Sequence, residues 1–222
     1  MRVVKNLEDI SDGKLYDIED MVQADTDGCK GCNVCCHDIG DLVVLSPFDA
    51  YEMCSCLGKS FDELLGVHLE LREENKILLP FLKMVDEDLR CNFLSEEGRC
   101  TIHGHRPNIC RLFPLGRAYV KDDFKYFLQV GSCVKPKLSE VKVSDWIGIH
   151  NYEQNKAFII EWYHLVKAFS FRLKFVYDEA EKARLHQMLL DAFYRLEVKE
   201  GEDFYMAFAR VLPEAKSKLG VI

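Results

Sequence analysis

The sequence predicts an α+β fold, in which a small cysteine-rich domain of short strands and helices precedes an antiparallel helical section. Three observations lead there. The 10 cysteines all fall between residues 29 and 133, and most of them stand in two groups. Between the groups, apolar runs are short and broken by Gly and Pro, the punctuation of short strands and turns. From residue 144 onward, cysteines are absent and apolar residues recur at helical spacing. On this reading residues 1–28 are an N-terminal arm, 29–140 the cysteine-rich domain and 141–222 a helical region.

In the arm, Leu7, Ile10, Leu15, Ile18 and Met21 follow a loose helical spacing interrupted by Asp12-Gly13. They predict a short helix or helix pair, or a solvated arm held by a few apolar anchors. Residues 41–45 (Asp-Leu-Val-Val-Leu) are a short strand candidate. Ser46 reads as an N-cap with Pro47 at the first helical position, and Gly58 as the stop, giving a helix over 48–57. Ser60 and Glu63 form a capping-box pattern that opens a second helix, expected to reach residue 73. Residues 77–85 are apolar but broken by Pro80, so they read as strand or extended chain. Glu96-Glu97-Gly98 looks like a hairpin turn that sets Cys91 and Cys100 near the ends of paired strands. Arg106-Pro107 begins a helical turn that carries Cys110 and ends at Pro114. Residues 119–130 read as a hairpin turning at Lys121-Asp122-Asp123.

In the last third, Ser144 reads as the cap of a short helix through Trp146. Phe158, Trp162, Leu165, Phe169, Leu173 and Val176 mark one face of a long helix. Leu185, Met188, Leu189, Ala192, Phe193 and Leu196 mark a second helix. Phe204, Phe208, Val211 and Leu212 mark a third, ending before Pro213. These stripes are core positions and carry no chemistry of their own.

The chain has 222 residues, 48% hydrophobic and 30% charged, enough for a sizeable core without covalent staples. The N-terminus lacks the apolar run of a signal peptide, and no 18-residue apolar stretch exists. The expected compartment is therefore the cytoplasm, where clustered cysteines bind metal or do redox work more often than they form disulfides. The net charge of -8 argues against non-specific nucleic-acid binding, which depends on neutralising phosphates. Arg106, Arg111 and Arg117 are the candidates for a local basic patch.

The chemistry sits in Cys29-Lys30-Gly31-Cys32-Asn33-Val34-Cys35-Cys36 and in Cys91, Cys100, Cys110 and Cys133. Each C-x-x-C spacing lets a tight turn aim two sulfurs at one point. The first three cysteines repeat the C-x2-C-x2-C rhythm that wraps a cubane iron–sulfur cluster. Eight thiols allow one [4Fe–4S] cluster with four of them, two zinc ions with four each, or a bridged dinuclear site. The spacing favours iron, while thiolate ligation alone suits zinc equally. Adjacent Cys35 and Cys36 are expected to diverge and serve different metals, or to leave one thiol outside the ligand set. Cys54 and Cys56 lie two apart in a helix, read as ordinary packing residues, and are left outside the site. Arg106 and Arg111 flank Cys110; they lower thiol pKa values or bind an anionic cofactor, or else pair with carboxylates to lock the loop.

With both groups side by side, the pattern C-x2-C-x2-C-C, then C-x-F-L-x5-C-x-I-x3-R-P-x2-C-R-x-F-P-L-G, resembles the CxxCxxCC cysteine-cluster family, YkgJ-like. The resemblance covers about residues 29–133. It implies a zinc- or iron-chelating domain whose ligands correspond to Cys29, Cys32, Cys35, Cys36, Cys91, Cys100 and Cys110, with Cys133 a late partner. Where the family often has Ile-Tyr, this chain has Ile102-His103, so His103 and His105 are either extra ligands or surface residues. The domain is also similar to part of the flagellin lysine N-methylases, which implies an enzyme pairing an iron–sulfur centre with S-adenosylmethionine, though the chain has no glycine-rich cofactor fingerprint. Three readings follow. The chain holds iron or zinc for structure, storage or transfer of metal or electrons. Or it is such an enzyme. Or Cys29 and Cys32 serve a thiol–disulfide oxidoreductase, for which no strand feeds the C-x-x-C into a helix. No catalytic residue is assigned, and the C-terminal helices are the expected surface for a protein partner.

Overall fold

The computed structural model describes residues 7–27, 32–39, 42–135 and 137–221. The strands in chain order are β1 (Met21–Asp25), β2 (Leu69–Glu74), β3 (Ile77–Leu82), β4 (Met84–Val85), β5 (Arg90–Cys91), β6 (Leu115–Val120), β7 (Asp123–Leu128) and β8 (Ser139–Lys142). The helices are α1 (Pro47–Leu57), α2 (Phe61–Leu64), α3 (Asn108–Leu112), α4 (Val143–Ile147), α5 (Tyr152–Leu173), α6 (Glu179–Phe193) and α7 (Phe204–Leu219). Helices and short antiparallel strands together make the α+β fold. The chain folds as two compact units, one of residues 1–43 and 84–150, the other of 44–83 and 151–222.

The first unit is built on antiparallel pairs: β1 with β8, β4 with β5, and β6 with β7. Residues 7–27 are part of it rather than a helical arm. Only Leu7–Asp9 forms a helical turn, of the 3₁₀ type. Met21–Asp25 is a strand because its apolar residues alternate: Val22 and Ala24 are 2% and 0% exposed while Met21 faces solvent. Upstream, Tyr16 and Tyr126 exchange both backbone hydrogen bonds, at 2.8 and 2.9 Å, which ties the arm to β7. The β6–β7 hairpin turns at Lys121, whose φ is +56°. It begins at Leu115, earlier than the aromatic alternation alone suggests. The α4 cap is Lys142, and Ser144 lies inside the helix with its N–H on Ile18 O at 2.9 Å.

Gly116 shows how tightly the hairpin closes. It stands opposite Phe127, whose ring covers it; a Cβ here would meet ring carbon Cε1 at 2.6 Å. Gly116→Ala should therefore displace the Phe127 ring and destabilise the unit by about 1–3 kcal/mol. A denaturant midpoint equal to that of the parent chain would show that the ring moves freely.

In the second unit, α1 follows the sequence signals closely. Ser46 and Asp49 form a reciprocal capping box, Pro47 opens the helix and Gly58 closes it at φ +61°. The expected strand over 41–45 is reduced to a single bridge, Val44 to Phe81, with Asp41 outside the described residues. The second helix also differs from expectation. Its capping box forms at Ser60, but α2 stops at Leu64. Gly66, at φ +79°, turns the chain, and residues 69–74 pair in register with 77–82 across a turn at Asn75-Lys76, both at positive φ. Ladder hydrogen bonds and burial of Leu69, Ile77, Phe81 and Leu82 outweigh the helical propensity of the segment.

The three long helices form where their stripes predict. Phe208 of α7 meets Phe158 of α5 at 4.8 Å and Phe193 of α6 at 5.4 Å between ring centroids. Helix α7 does not end at Pro213 but runs through it to Leu219. A proline inside a helix costs about 3 kcal/mol, and burial of Ala215 and Leu219 beyond it offsets that loss. The segment 44–83 joins these helices: Phe48 sits 5.2 Å from Phe204, Tyr194 Oη donates to Leu45 O at 2.8 Å, and Arg195 pairs with Asp62. Among the described residues, no helix is long and apolar enough to cross a membrane.

Candidate metal centre

Apart from Cys54 and Cys56, every cysteine of the described residues belongs to the first unit. Cys29 lies outside the described residues. Cys35 and Cys36 sit on a 3₁₀ turn, Val34–Cys36, closed by Cys36 N–H on Asn33 O at 2.8 Å. After the turn the chain runs antiparallel to β5. His37 bridges Arg90, and Asp38 N–H donates to Leu89 O at 2.9 Å. This register brings Cys36 alongside Cys91.

Cys91 in turn is tied to Cys100. Leu94 N–H donates to Cys91 O at 2.9 Å, and Leu94 bridges Cys100. The turn expected at Glu96-Glu97-Gly98 is present, with Gly98 at φ +71° and Ser95 N–H on Arg99 O at 2.8 Å. A side chain at Gly98 would strike the Asn33 amide, 2.8 Å from the ideal Cβ, so the tip of this turn packs on the first cysteine segment. The Arg90 guanidinium holds the loop from the other side, on Asp86 at 2.8 Å and Leu94 O at 2.9 Å. Sequence reasoning missed Asn33, Arg90 and Gly98 as the braces of the site. For Asn33 and Arg90 the signal was adjacency to a cysteine, and for Gly98 its place in the expected turn; neither by itself separates a brace from a bystander.

The remaining thiols come from farther along the chain. Cys110 rides on α3, half-buried, and Cys133 follows β7. Cys133 meets the first group at a cavity of about 230 Å³. Cys32, Cys35 and Cys133 line it, with Val34, Ile39 and Phe113 supplying apolar wall. Cys35 thus takes part in two neighbourhoods, the cavity and the Cys36–Cys91–Cys100 ladder.

Cys35 and Cys36 do not diverge as expected: their side chains hydrogen-bond each other. That bond, followed by burial, pushes the Cys35 thiol far above its ordinary range. Burial raises Cys91 and Cys100 as well, and the Arg106 charge works against the rise at Cys100 and Cys35. Without a metal these sulfurs are held as neutral thiols, and a cation would have to replace their protons. Among the described residues, no three Cys, His, Asp or Glu side chains converge on one ion-sized point. The soft, partly buried sulfur donors nonetheless fit the chemistry of iron or zinc ligation.

The other sequence candidates fall as follows. His103 and His105 are both exposed. The His103 ring takes up Arg106, with Nη1 and Nε2 2.8 Å apart, and burial followed by the Arg106 charge lowers its pKa. Its Nε2 is therefore the acceptor, turned to Arg106. Arg106 keeps its Nε buried and without a hydrogen-bond partner. Arg111 donates to Gly104 O at 2.6 Å and Ile147 O at 3.5 Å, stitching α3 to its neighbours. Cys54 and Cys56 stand on α1, in the other unit, with burial raising Cys54 to about 11.

No curated protein and no solved structure matches the chain. Residues 28–130 match the model of the CxxCxxCC family, described as "Putative zinc- or iron-chelating domain". The match takes in every cysteine of the ladder and of the first group, and stops just short of Cys133. Over residues 28–130 the chain is therefore similar to the CxxCxxCC zinc- or iron-chelating domain, a likeness that supports metal binding.

Proposed function

We propose that the domain holds iron as a [4Fe–4S] cluster, with Cys32, Cys35 and Cys133 as ligands and Cys29 completing the C-x2-C-x2-C run. The observation that carries this reading is the cavity. Three thiols from opposite ends of the domain line about 230 Å³ of space. A single zinc needs only its ligands, at about 2.3 Å from sulfur. A water molecule takes about 30 Å³ in the liquid, so the cavity suits an inclusion of several atoms. In this reading Cys36, Cys91, Cys100 and Cys110 stand around the ligand set, and Cys36 orients Cys35 through their shared hydrogen bond. A bound cluster would supply one-electron chemistry, tuned by charge, hydrogen bonds and exposure around the sulfurs. The chain's own part is to present the thiols and keep one wall of the cavity apolar.

The test is metal and acid-labile sulfide analysis of protein isolated without oxygen. About four iron and four sulfide per chain, with a broad brown absorbance, is the expected result. Colourless protein with zinc and no sulfide would overturn the cluster and leave a thiolate zinc site in its place.

A further inference from the structure

Arg106 presents an unanswered donor. Its Nε is buried and has no hydrogen-bond partner. A buried donor left unpaired costs about 1–3 kcal/mol, so its persistence calls for an acceptor that arrives with another state of the site. The guanidinium is not loose: Nη1 is fixed on His103 Nε2 at 2.8 Å. The 3₁₀ turn His103–His105 that leads into Arg106 begins three residues after Cys100, and the exposed His103 ring holds the guanidinium there. The Arg106 charge acts on Cys35 and Cys100, the thiols on either side of the ladder. Neutral thiols are weak acceptors. Metal-bound thiolates carry charge, and hydrogen bonds to charged sulfur or oxygen are the stronger kind.

We infer that Arg106 is a positioning residue of the metal centre, its Nε–H reserved for the Cys35 thiolate once the metal is bound. His103 aims it and Cys35, a ligand of the proposed cluster, receives it. The inference rests on the cluster reading for its preferred readout and on the thiol arrangement alone for its second.

The test uses the full chain isolated without oxygen, as the parent, Arg106→Gln and Arg106→Lys, with iron and sulfide counted first. At equal iron content, Arg106→Gln should move the midpoint potential negative, by about a tenfold change in the reduction equilibrium, 59 mV for a one-electron couple. A positive charge and an N–H···S bond both favour the more negative, reduced cluster. Arg106→Lys keeps the charge, loses the fixed Nε–H and should fall between the two. An unmoved potential in Arg106→Gln overturns the inference. So does a parent-like potential in Arg106→Lys, because charge alone would then account for the effect. If Arg106→Gln does not retain iron, Arg106→Lys decides in the same way. If the parent holds zinc and no sulfide, the cluster reading falls separately. The inference then stands on zinc release to a chelator, which should be about tenfold faster in Arg106→Gln; equal rates overturn it.

Discussion

Cys35→Ser should strip the protein of most of its metal. Cys35 is the thiol at which the two sulfur neighbourhoods meet: it lines the cavity with Cys32 and Cys133, and it hydrogen-bonds Cys36 beside Cys91. Losing a group that merely supports a ligand costs roughly 10–100-fold in metal affinity, and losing a ligand costs at least as much. Serine keeps the size but offers a harder oxygen that iron and zinc thiolate sites do not favour. Binding and local folding are coupled in such sites, so solubility should fall with metal content. Cys32→Ser should behave in the same way, as should Cys110→Ser if α3 contributes a ligand. Cys56→Ser is the comparison, since that exposed thiol belongs to the other unit. Elemental analysis of the purified variants decides. Full metal content in Cys35→Ser would remove the cavity from the account, and a loss in Cys56→Ser would show the site to be larger than drawn.

Phe193→Ala should cost about 3–5 kcal/mol of stability. The ring is 1% exposed and lies between Trp162 on α5 and Phe208 on α7, each 5.4 Å away between centroids. Removing it opens a void where three helices meet, and aromatic pairing is lost along with area. The effect is read as a lower urea midpoint in circular dichroism, which follows these helices. Metal content under native conditions should hold, because no cysteine of the proposed ligand set belongs to this unit. A midpoint within about 0.5 kcal/mol of the parent, the range of ordinary surface changes, would mean that the helices do not share a common core.

Much of this architecture was legible in the residues, and the limits were physical. Local chemistry was readable: Ser46, Pro47, Asp49 and Gly58 bound α1, and Gly98 turns the 95–99 loop, because caps and positive φ depend on a few adjacent residues. Helical stripes were readable for α5 and α6 because they repeat over many turns. Non-local pairing was not. The strand β1 depends on β8, more than a hundred residues later in the chain, and nothing near Met21 declares that partner. The capping box at Ser60 announced a helix correctly, but the length of α2 was decided by the β2–β3 hairpin. Pro213 read as a stop, and tertiary burial carried α7 through it.

The site divides in the same way. The cysteine spacing announced thiolate chemistry, and the family match over residues 28–130 agrees with it. Spacing did not reveal that Cys133 shares a cavity with Cys32 and Cys35, nor that Cys35 and Cys36 bond each other rather than part. Neither did it separate Arg106, with its buried unpaired Nε, from Arg111, which is engaged on backbone carbonyls. Those distinctions depend on where the chain returns, which a single sequence records only indirectly.

The most direct test of the proposed cluster is metal-edge X-ray absorption on protein isolated without oxygen. An iron edge, a sulfur shell and a metal–metal shell are the predicted result, because irons in a cubane have iron neighbours. A zinc edge with sulfur at about 2.3 Å and no metal–metal shell would contradict it, and the domain would then be a zinc site.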